Sequence, residues 1–508
     1  MSDKNDKNIN SHIAGESDSK ELPKTRAVTR AARPTRTKPS REPRHAMENQ
    51  NPAQRIKNFD EVALGYTMEQ ALAEAKRCLQ CKNAPCEAGC PVEVRIKDFI
   101  SAMIDGDLPL ATALLKERNA LPAVCGRVCP QETQCEAKCV LAKRGEPVAI
   151  GRLERFLADW DRFRPASERN MTRLLPSKHK SIAVIGSGPA GLAAAGELSL
   201  RGYYVEIFES LHLPGGVLAY GIPGFRLPAY ILEDEVEALK KARVSFQMNT
   251  PIGSIASCEE LLEEGFSAVF IGVGAGLPKF LNIPGENLNG VYSANEFLTR
   301  VNLMNANEFP KWDTPVQRGR SVVVVGGGNV AMDAARTALR LGAEKVTLTY
   351  RRTQAEMPAR DEEIEHAIEE GIDLCELVAP LEILGEDGWV TGLRLQKMQL
   401  GRADASGRRR PVPIQGEEYV HVCDTIVSAI GTGANPHLHE VADVDINDWG
   451  YLKVNDDGQT SNPRIFAGGD IVTGAATVIQ AMGAGKTAAI AIDELLSAGQ
   501  TGLFAPRS

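Results

Sequence analysis

The chain has 508 residues, of which 43% are hydrophobic, and a formal net charge of −8. This length is enough for about three domains. The sequence contains neither an uninterrupted apolar run of membrane-spanning length nor a signal peptide, so we expect no membrane span and a cytoplasmic location. Residues 20–45 hold nine Lys or Arg against two Glu, so the rest of the chain is acidic. An acidic body argues against a nucleic-acid enzyme.

Residues 1–50 are predicted to be a disordered basic arm. They are rich in Pro, Thr and Arg and poor in large apolar residues, so they bury too little surface to fold. A solvated extension is the favoured interpretation, while a tether for a polyanion and a docking tail for a partner stay open. A mitochondrial transit peptide is not favoured, because Asp3, Asp6 and Glu16 interrupt the segment.

The next segment, residues 51–166, combines helical periodicity with eight crowded cysteines. In a chain without secretory features such crowding indicates metal ligands rather than disulfides. The spacing is C-x2-C-x4-C-x3-C-P followed by C-x3-C-P-x4-C-x3-C, which suits zinc as well as iron–sulfur clusters. The cysteines are Cys78, Cys81, Cys86, Cys90, Cys125, Cys129, Cys135 and Cys139. Three further cysteines are scattered and are expected to be small buried apolar residues, namely Cys258, Cys375 and Cys423.

A first dinucleotide fingerprint follows the apolar run IAVI. Gly186, Gly188 and Gly191 give the G-x-G-x-x-G pattern, in which glycines permit a tight turn, close approach of a pyrophosphate and close helix packing. Glu209 ends the next predicted strand, where a carboxylate accepts hydrogen bonds from both ribose hydroxyls of an unphosphorylated adenosine. The predicted contacts also include the residues between the glycines, Pro189 and Ala190.

A second fingerprint, G-x-G-x-x-A, follows the apolar run VVVV. It consists of Gly326, Gly328 and Ala331, with Asn329 and Val330 between them. No acid ends the following strand, and two arginines stand there instead. Guanidinium groups suit a 2′-phosphate, so this module is predicted to bind NADP(H). The two arginines are Arg351 and Arg352, and the alternative interpretation is an exposed basic strand end.

Two such modules in tandem indicate that one holds a flavin and the other a nicotinamide, with hydride passing between them. This transfer needs stacking and positioning rather than an acid–base pair, so no catalytic side chain is predicted. Near the C-terminus the motif FAGGD is predicted to deliver Gly469 and Asp470 to the flavin. A helix that starts near Thr477 is expected to point its N-terminus at the flavin. Polar-alternating strands are predicted between residues 380 and 425.

Six motifs behind the cysteine-rich domain carry a family resemblance, namely GPAGL, LPGGVLAYGIPGFRLP, GGGNVAMDAAR, YRRTQAEMPA, AIGTGANP and FAGGD. Together they resemble the glutamate synthase small (beta) subunit family over about residues 53–497. The chain is also similar to the large subunit of the electron-bifurcating NADH-dependent ferredoxin:NADP oxidoreductase and to the N-terminal half of dihydropyrimidine dehydrogenase. The resemblance implies an α/β protein, with a helical iron–sulfur domain followed by two doubly wound (Rossmann-like) nucleotide-binding domains of the disulfide-reductase flavoprotein type.

The resemblance also implies domain limits and cofactors. Two [4Fe–4S] clusters are expected in residues 51–166, FAD in residues 180–295 and 426–500, and NADPH in residues 296–425. Gly216, in the motif LPGGVLAYGIPGF, is expected to contact FAD. A flavin in the same chain favours iron–sulfur clusters over zinc, because zinc carries no electrons.

The family pattern implies that the two cysteine runs interleave. One cluster is expected on Cys78, Cys81, Cys86 and Cys139, and the other on Cys90, Cys129 and Cys135. The fourth ligand of the second cluster stays open between Cys125 and Glu154, with Glu154 slightly favoured.

The function implied by the resemblance is that of an NADPH-dependent small subunit of glutamate synthase. The chain has no room for an amidotransferase, so a large subunit is expected as partner in a hetero-oligomer. The alternative is the large subunit of the bifurcating oxidoreductase, with a small flavoprotein as partner. A non-enzymatic electron-transfer or assembly module is a third class, and the intact Gly326, Gly328 and Arg351 speak against it. No nucleic-acid or membrane partner is expected.

Overall fold

The basic arm is mostly outside the part of the chain that the structure describes. The computed structural model describes residues 42–165, 168, 174–404, 407–435 and 438–501. The prediction of disorder for residues 1–41 therefore lies outside the described residues. Within those residues, no helix is both long enough and apolar enough to cross a membrane.

The end of the arm, residues 42–50, differs from the prediction of disorder because it packs against the helical domain. Arg44 donates a hydrogen bond to Oε2 of Glu136 over 2.7 Å, and the backbone N–H of His45 donates to Oε2 of Glu74 over 2.9 Å. Both glutamates are buried. Buried carboxylates need such partners, and this requirement orders the end of the arm.

Short helices build the N-terminal domain around one apolar core that contains Phe99, Met103 and Leu153. The helix at Met68 begins with a capping box between Thr67 and Gln70. The elements are β1 (Glu48–Asn49), α1 (Pro52–Arg55), β2 (Ala63–Gly65), α2 (Met68–Ala75), α3 (Pro85–Ala88), α4 (Ile96–Ile104), α5 (Leu108–Lys116), α6 (Pro122–Val128) and α7 (Ile150–Arg162). Cys125 lies in α6, and the later cysteines alternate with three 3-10 turns, Gln131–Thr133, Glu136–Lys138 and Val140–Lys143.

The first nucleotide-binding domain follows as alternating strands and helices. Its first strands are apolar and buried, as a parallel sheet covered on both faces requires. The elements are β3 (Ser181–Ile185), α8 (Pro189–Leu200), β4 (Tyr204–Phe208), α9 (Val217–Tyr220), α10 (Ala229–Lys241), β5 (Val244–Gln247), α11 (Cys258–Glu263), β6 (Ala268–Ile271) and β7 (Leu277–Pro278).

The second nucleotide-binding domain repeats this plan and adds three long antiparallel strands. Its doubly wound part contains β8 (Val291–Ser293), α12 (Ala294–Asn302), β9 (Ser321–Val325), α13 (Asn329–Arg340), β10 (Lys345–Tyr350), α14 (Asp361–Glu369) and β11 (Asp373–Glu376). The antiparallel strands and the return strand are β12 (Val378–Glu386), β13 (Trp389–Ala403), β14 (Arg409–Val422) and β15 (Thr425–Ser428). Short 3-10 turns lie at Ala306–Glu308 and Gln354–Glu356.

The chain then returns to the first domain. The last elements are β16 (Thr432–Gly433), α15 (Leu438–Val441), β17 (Ile465–Ala467), α16 (Asp470–Thr473) and α17 (Val478–Thr501). The first domain thus has a parallel sheet of order β17-β6-β3-β4-β5, and the second a parallel sheet of order β11-β10-β9-β15-β8. These two sheets and the helical N-terminal domain confirm the predicted α/β fold class.

The chain passes between the two nucleotide-binding domains at other residues than the expected domain limits. Strand β8 was expected in the first domain, and most of β15 was expected in the second part of that domain. Both strands instead pair within the sheet of the second domain. The two connecting segments instead meet as the antiparallel pair β7 and β16. The crossings therefore lie before residue 291 and after residue 428, because the second sheet needs both strands to extend beyond β9.

A buried group of ion pairs, which we call the interdomain ion lattice, holds the second domain in place. Arg226 of the first domain lies 2.7 Å from Asp333 and 3.0 Å from Glu363 of the second. Burial alone would raise the pKa of Glu363, but Arg226 and neighbouring arginines hold it at about 2. The remaining arginines of the lattice surround Glu370. They are Arg55 of the helical domain, Arg336 and Arg340.

Candidate cofactor-binding site

The first dinucleotide turn joins β3 to α8, as its fingerprint predicts. Gly186 has a φ of +94°, and a Cβ added at Gly191 would overlap the carbonyl oxygen of Gly186. A Cβ at Gly188 would have its nearest neighbour, a backbone oxygen, at 3.9 Å, so space remains for the approach of a pyrophosphate. The helix begins with Pro189 and Ala190, and its free backbone N–H groups suit an anion.

Glu209 lies at the end of β4, beside this turn, and is 5% exposed. Its Oε2 accepts hydrogen bonds from the backbone N–H of Ser187 over 2.9 Å and from Ser187 Oγ over 2.5 Å. Its Oε1 accepts from the backbone N–H of Leu211 over 2.9 Å. These donors hold the carboxylate in one orientation next to the glycine turn. The sequence prediction missed Ser187, although a hydroxyl inside the fingerprint was visible.

Two further glycine segments converge on the same turn. Gly216 has a φ of +54°, and a Cβ there would lie 2.9 Å from Gly188 Cα. Gly469 has a φ of +81°, and a Cβ there would lie 3.1 Å from the Cβ of Ala190. Asp470 follows, and its Oδ1 accepts from the N–H of Ala476 over 3.2 Å. The predicted glycines of the first module and Glu209 are thus brought together around the turn.

Tyr220, at the end of α9, is a residue of this site that sequence reasoning missed. Burial raises its pKa to about 12, and the negative charges of Asp470 and Glu209 add to the shift. Both carboxylates therefore lie within electrostatic reach of the phenol. Its position depends on three separate segments of the chain, so no local pattern indicated it.

The second dinucleotide turn joins β9 to α13. A Cβ at Gly326 would overlap the carbonyl oxygen of Ala429, so only glycine fits at this point. A Cβ at Gly328 would have its nearest neighbour at 3.9 Å, which again leaves room for an approaching ligand. Ala331 takes the place of the third glycine and is completely buried. The turn therefore accommodates one methyl group that the first turn excludes.

The segment after β10 lies directly against this turn. The backbone N–H of Ala359 donates to the carbonyl oxygen of Gly327 over 3.2 Å. The backbone N–H of Arg360 donates to Oδ1 of Asn329 over 3.0 Å. Val330 is exposed at the start of the helix. Asn329 is thus held by the segment beside it, while Val330 faces the space in front of the turn.

The structure separates the two arginines that were predicted to bind a 2′-phosphate. Arg351 is exposed at the end of β10. Arg352 is 5% exposed, and it donates to the carbonyl oxygen of Arg409 over 2.7 Å and to Asp404 over 3.0 Å. The donors of Arg352 are therefore occupied by the antiparallel hairpin, and Arg351 is the better placed of the two to meet a phosphate.

One group of cysteines, which we call the first cysteine group, lines a single cavity in the helical domain. Its members are Cys78, Cys81, Cys86 and Cys139, and Ile100 and Ile150 form part of the apolar wall. Burial raises the pKa of Cys78 to about 11 and that of Cys86 to about 12. Four thiols around one apolar space match the ligand chemistry of an iron–sulfur cluster, whose irons favour the thiolate form.

The remaining four cysteines of the two runs form the second cysteine group: Cys90, Cys125, Cys129 and Cys135. Burial raises the pKa of Cys90 and of Cys135, and the negative charge of Glu154 contributes to both shifts. Cys125 and Cys129 share a side-chain hydrogen bond and are buried. The structure thus brings Glu154 close to Cys90 and Cys135 of this group.

Glu154, in α7, is a buried carboxylate with few partners. Burial raises its pKa to about 8, opposed by a hydrogen bond that the side-chain amide of Asn119 donates to Oε1. The other candidate, Cys125, is completely buried at the same place. Among the described residues, no three His, Cys, Asp or Glu side chains are arranged closely enough to hold a single metal ion.

The second cysteine group also touches the first nucleotide-binding domain. Cys125 and Cys129 belong to the same apolar core as Ala190, Ile479 and Met482. Cys90 and Cys135 of the second group contact the core of the helical domain, as do Cys78, Cys86 and Cys139 of the first group.

A polar contact crosses the same boundary. The side-chain amide of Gln134, between Cys129 and Cys139, donates to Oγ1 of Thr477 over 3.4 Å. Thr477 precedes α17, the helix predicted to point at the flavin. The loop between two of the cysteines therefore rests on the start of that helix.

Comparisons with known proteins match both halves of this arrangement. The family of dihydropyrimidine dehydrogenase domain II, 4Fe-4S cluster, matches residues 55–165, and the pyridine nucleotide-disulphide oxidoreductase family matches residues 180–485. The glutamate synthase [NADPH] small chain of Halomonas elongata is 37% identical over 85% of this chain and 92% of its own length. The beta subunit of the NADP(+)-dependent formate dehydrogenase of Moorella thermoacetica is 39% identical over 82% of this chain and 61% of its own length.

Among solved structures, the fold is similar to that of Mycobacterium tuberculosis FprA in complex with NADPH. The TM-score is 0.54 at 21% identity, and the match covers 66% of this chain and 87% of that chain. This likeness supports the fold alone.

Fold, site and family matches together define an NADPH-dependent flavoprotein oxidoreductase with an iron–sulfur domain. More narrowly, the chain belongs to the glutamate synthase small chain family, as its motifs predicted. The predicted enzyme class and the three kinds of cofactor, FAD, NADPH and iron–sulfur, are thereby confirmed.

Proposed function

We propose that this chain is the cytoplasmic small subunit of an NADPH-dependent glutamate synthase. It takes electrons from NADPH and passes them through FAD and two [4Fe–4S] clusters to a large subunit, which makes glutamate from glutamine and 2-oxoglutarate. The observation that carries the proposal is the contact between the second cysteine group and the flavin domain. Cys125 and Cys129 share a core with Ala190, and Gln134 contacts Thr477.

Each cofactor has a set of residues in this proposal. FAD is held by the first turn with Glu209, Gly216, Gly469 and Asp470. NADPH is held by the second turn with Arg351, while Arg352 supports the strand end through Asp404. When bound, the flavin accepts hydride from the nicotinamide and releases electrons singly to the clusters. The protein contributes orientation and charge, because hydride transfer needs no acid–base pair.

The cluster ligands are proposed as two interleaved sets. The first set is the first cysteine group, and the second set is Cys90, Cys129 and Cys135 with Glu154 as the fourth ligand. The support for Glu154 is its burial beside these thiols with the neutral amide of Asn119 as its hydrogen-bond donor. Iron would supply the positive charge that a buried carboxylate otherwise lacks. Cys125 is then a packing residue.

The order of the two clusters follows from their surroundings. The second set is next to the flavin domain, so it is proposed to receive electrons first. The first set lies in the helical domain, and its members are half-buried rather than buried. Electrons are therefore proposed to leave from the first set to the partner.

A different partner is the second candidate, and one comparison favours it. The formate dehydrogenase beta subunit is as similar to this chain as the glutamate synthase small chains are. Its name assigns it to a complex with another activity. The same electron-transfer module therefore serves more than one assembly, and the partner is the part of the proposal most in need of a test.

The test separates the two half-reactions in the full chain, prepared without oxygen. We expect one FAD and about eight irons per chain. Cys86→Ser and Cys135→Ser are expected to retain NADPH oxidation with a small acceptor that reaches the flavin, and to lose electron transfer to the large subunit. Gly188→Val is the control, because its side chain would occupy the space left for the pyrophosphate and so should abolish both activities.

Two outcomes would contradict the proposal. Stoichiometric zinc without iron would remove the clusters. Full transfer to the partner by both cysteine variants would mean that electrons leave by another route. Activity with a formate-oxidising partner, but none with a glutamate synthase large subunit, would support the second candidate.

A further inference from the structure

Arg360 connects the second dinucleotide turn with the cysteine loop. It lies at the N-terminus of α14, and its backbone N–H donates to Oδ1 of Asn329, the first residue of α13. The preceding residue, Ala359, donates its N–H to the carbonyl oxygen of Gly327. The backbone of Arg360 is therefore fixed to the turn that holds the nucleotide in the proposed function, on which this inference rests.

The side chain of Arg360 crosses into the helical domain. One terminal nitrogen, Nη1, donates to the carbonyl oxygen of Arg127 over 2.9 Å. The other, Nη2, donates to Oε1 of Gln131 over 3.1 Å. The two acceptors lie on either side of Cys129, Arg127 near the end of α6 and Gln131 in the following 3-10 turn. A planar guanidinium makes such forked contacts, which an ammonium group does not reproduce.

Gln131 continues the connection to the second cysteine group. Its side-chain amide donates to the carbonyl oxygen of Cys125 over 3.2 Å, and its backbone N–H donates to the carbonyl oxygen of Cys129 over 2.9 Å. Arg360 is thus linked to the backbone on both sides of Cys129 by a chain of hydrogen bonds.

The charge of Arg360 is buried and lies beside two carboxylates. Arg360 is 8% exposed, with Glu362 at 3.0 Å and Glu132 at 3.4 Å. Glu362 belongs to its own helix and Glu132 to the loop. A buried cation favours the addition of an electron to a neighbouring redox group, because screening by water is weak there.

We propose that Arg360 is a positioning residue that couples occupancy of the second dinucleotide turn to the reduction potential of the cluster on the second cysteine group. A bound nucleotide brings negative phosphates to the turn on which the Arg360 backbone is fixed. The hydrogen bonds of Arg360 carry this change from the turn to the backbone around Cys129, and the potential of that cluster falls. By linkage, reduction of the cluster weakens nucleotide binding by the same factor.

This role differs from that of the interdomain ion lattice. Arg336 and Arg340 bind Glu370 within the second domain, and Arg55 joins them from α1. Arg360 instead contacts the nucleotide turn with its backbone and the cysteine loop with its side chain. A residue that only holds domains together needs the side-chain contact with the cysteine loop. It does not need the backbone contact with the nucleotide turn.

The first experiment uses the wild-type holoprotein and needs no variant. The reduction potentials of both clusters are measured by anaerobic redox titration with electron paramagnetic resonance, with and without 2′-phospho-ADP-ribose. This probe carries the phosphates of NADP but no nicotinamide, so it cannot accept hydride. We expect at least about fivefold coupling, equivalent to a fall of about 40 mV for a one-electron couple. The cluster on the first cysteine group is the internal reference and should not move.

The second experiment replaces Arg360. Arg360→Met should lower the potential of the second cluster without ligand and abolish the response to the probe. Arg360→Lys keeps the charge but loses the forked contact, so it should keep the potential and lose most of the response. Arg340→Met is the matched control, because it removes a buried arginine of the ion lattice that contacts Asn58 and Glu370 rather than the cysteine loop.

The outcomes separate this inference from the proposed function. If the wild-type protein shows both cluster signals but the reduction potential of the second cluster does not change when the probe binds, the coupling is overturned. The proposed function is then left intact. An equal shift in Arg340→Met and Arg360→Met would assign Arg360 to domain packing alone. Absence of both cluster signals from wild-type protein would overturn the proposed function, and the coupling with it. If Arg360→Met does not retain its clusters, the wild-type and Arg360→Lys results still decide the question.

Discussion

The two dinucleotide turns both join a buried parallel strand to the N-terminus of a helix, but the helices approach their strands differently. In the first turn a Cβ at Gly191 would overlap the carbonyl oxygen of Gly186. In the second turn the equivalent position is Ala331, whose methyl group is completely buried. One carbon atom therefore distinguishes two otherwise similar turns, and it shows how much closer α8 lies to its strand than α13 does.

The ends of the second strands differ in charge as well. Glu209 is buried and accepts three hydrogen bonds from Ser187 and Leu211 before any ligand binds. Arg351 is exposed in the corresponding region of the other module. A free ribose hydroxyl needs an oriented acceptor, whereas a 2′-phosphate needs an accessible cation. The first turn is thus rigid and preorganised, and the second relies on an accessible charge.

The largest effect is expected from Gly191→Ala. The added methyl group would collide with backbone, so the cost should exceed the roughly 1–3 kcal/mol typical of overpacking. We expect loss of FAD together with loss of the cooperative unfolding transition of the first domain, measured by denaturation and flavin content. Gly188→Ala is the control, because its methyl group meets open space and should weaken FAD binding without unfolding the domain.

A smaller effect is expected from Arg351→Ala. Loss of one charge-assisted contact to the 2′-phosphate is worth roughly 1.5–3 kcal/mol, or about ten- to a hundredfold in KM for NADPH. KM for NADH should change little. Lys345→Ala removes an exposed cation at the other end of β10 and serves as the charge control. An equal loss for both coenzymes would mean that Arg351 supports the strand rather than the phosphate.

Glu209→Gln tests the rigid acceptor of the first turn. An amide nitrogen cannot accept the hydrogen bonds that the carboxylate receives from Ser187 or Leu211, so at least one buried donor loses its partner. The cost is about 1–3 kcal/mol, which should appear as weaker FAD retention during dialysis. Glu206→Gln is a matched control, since Glu206 lies on the same strand and contacts Gln247 rather than the turn. Undiminished retention in Glu209→Gln would contradict the assigned role.

The smallest effect is expected from Ala331→Gly, which gives the second turn the sequence pattern of the first. The substitution adds backbone freedom to a helix and should cost about 1 kcal/mol of unfolding free energy. The measurement is chemical denaturation of the second domain within the full chain. A gain in stability would show that the methyl group is strained rather than accommodated.

Features set by short-range geometry were predictable from the sequence. The glycine turns, Glu209 and the two cysteine runs follow from constraints within a few tens of residues, and the structure places them as those constraints require. Arg352 differs from its exposed neighbour Arg351, because its guanidinium donates a hydrogen bond to Asp404 from a distant hairpin. Tyr220, Gln134 and Arg360 were not indicated at all.

These unpredicted residues share a physical cause. Each acquires its position from the packing of separate segments, which no spacing rule records. The order in residues 42–50 has the same origin, since it depends on buried carboxylates of the helical domain. Local patterns therefore predicted the turns of each module, while tertiary packing decided how the modules contact one another.

The strand order of the first domain has a consequence for biosynthesis. Its sheet is completed by β17, which is made after the whole second domain, whereas the second domain is continuous in sequence. Domains generally fold as units during translation, so the second domain should fold on the ribosome while the first still lacks an edge strand. Completion of the first sheet must then wait for release of the C-terminal segment, and truncated chains should emerge with a folded second domain and an incomplete first domain.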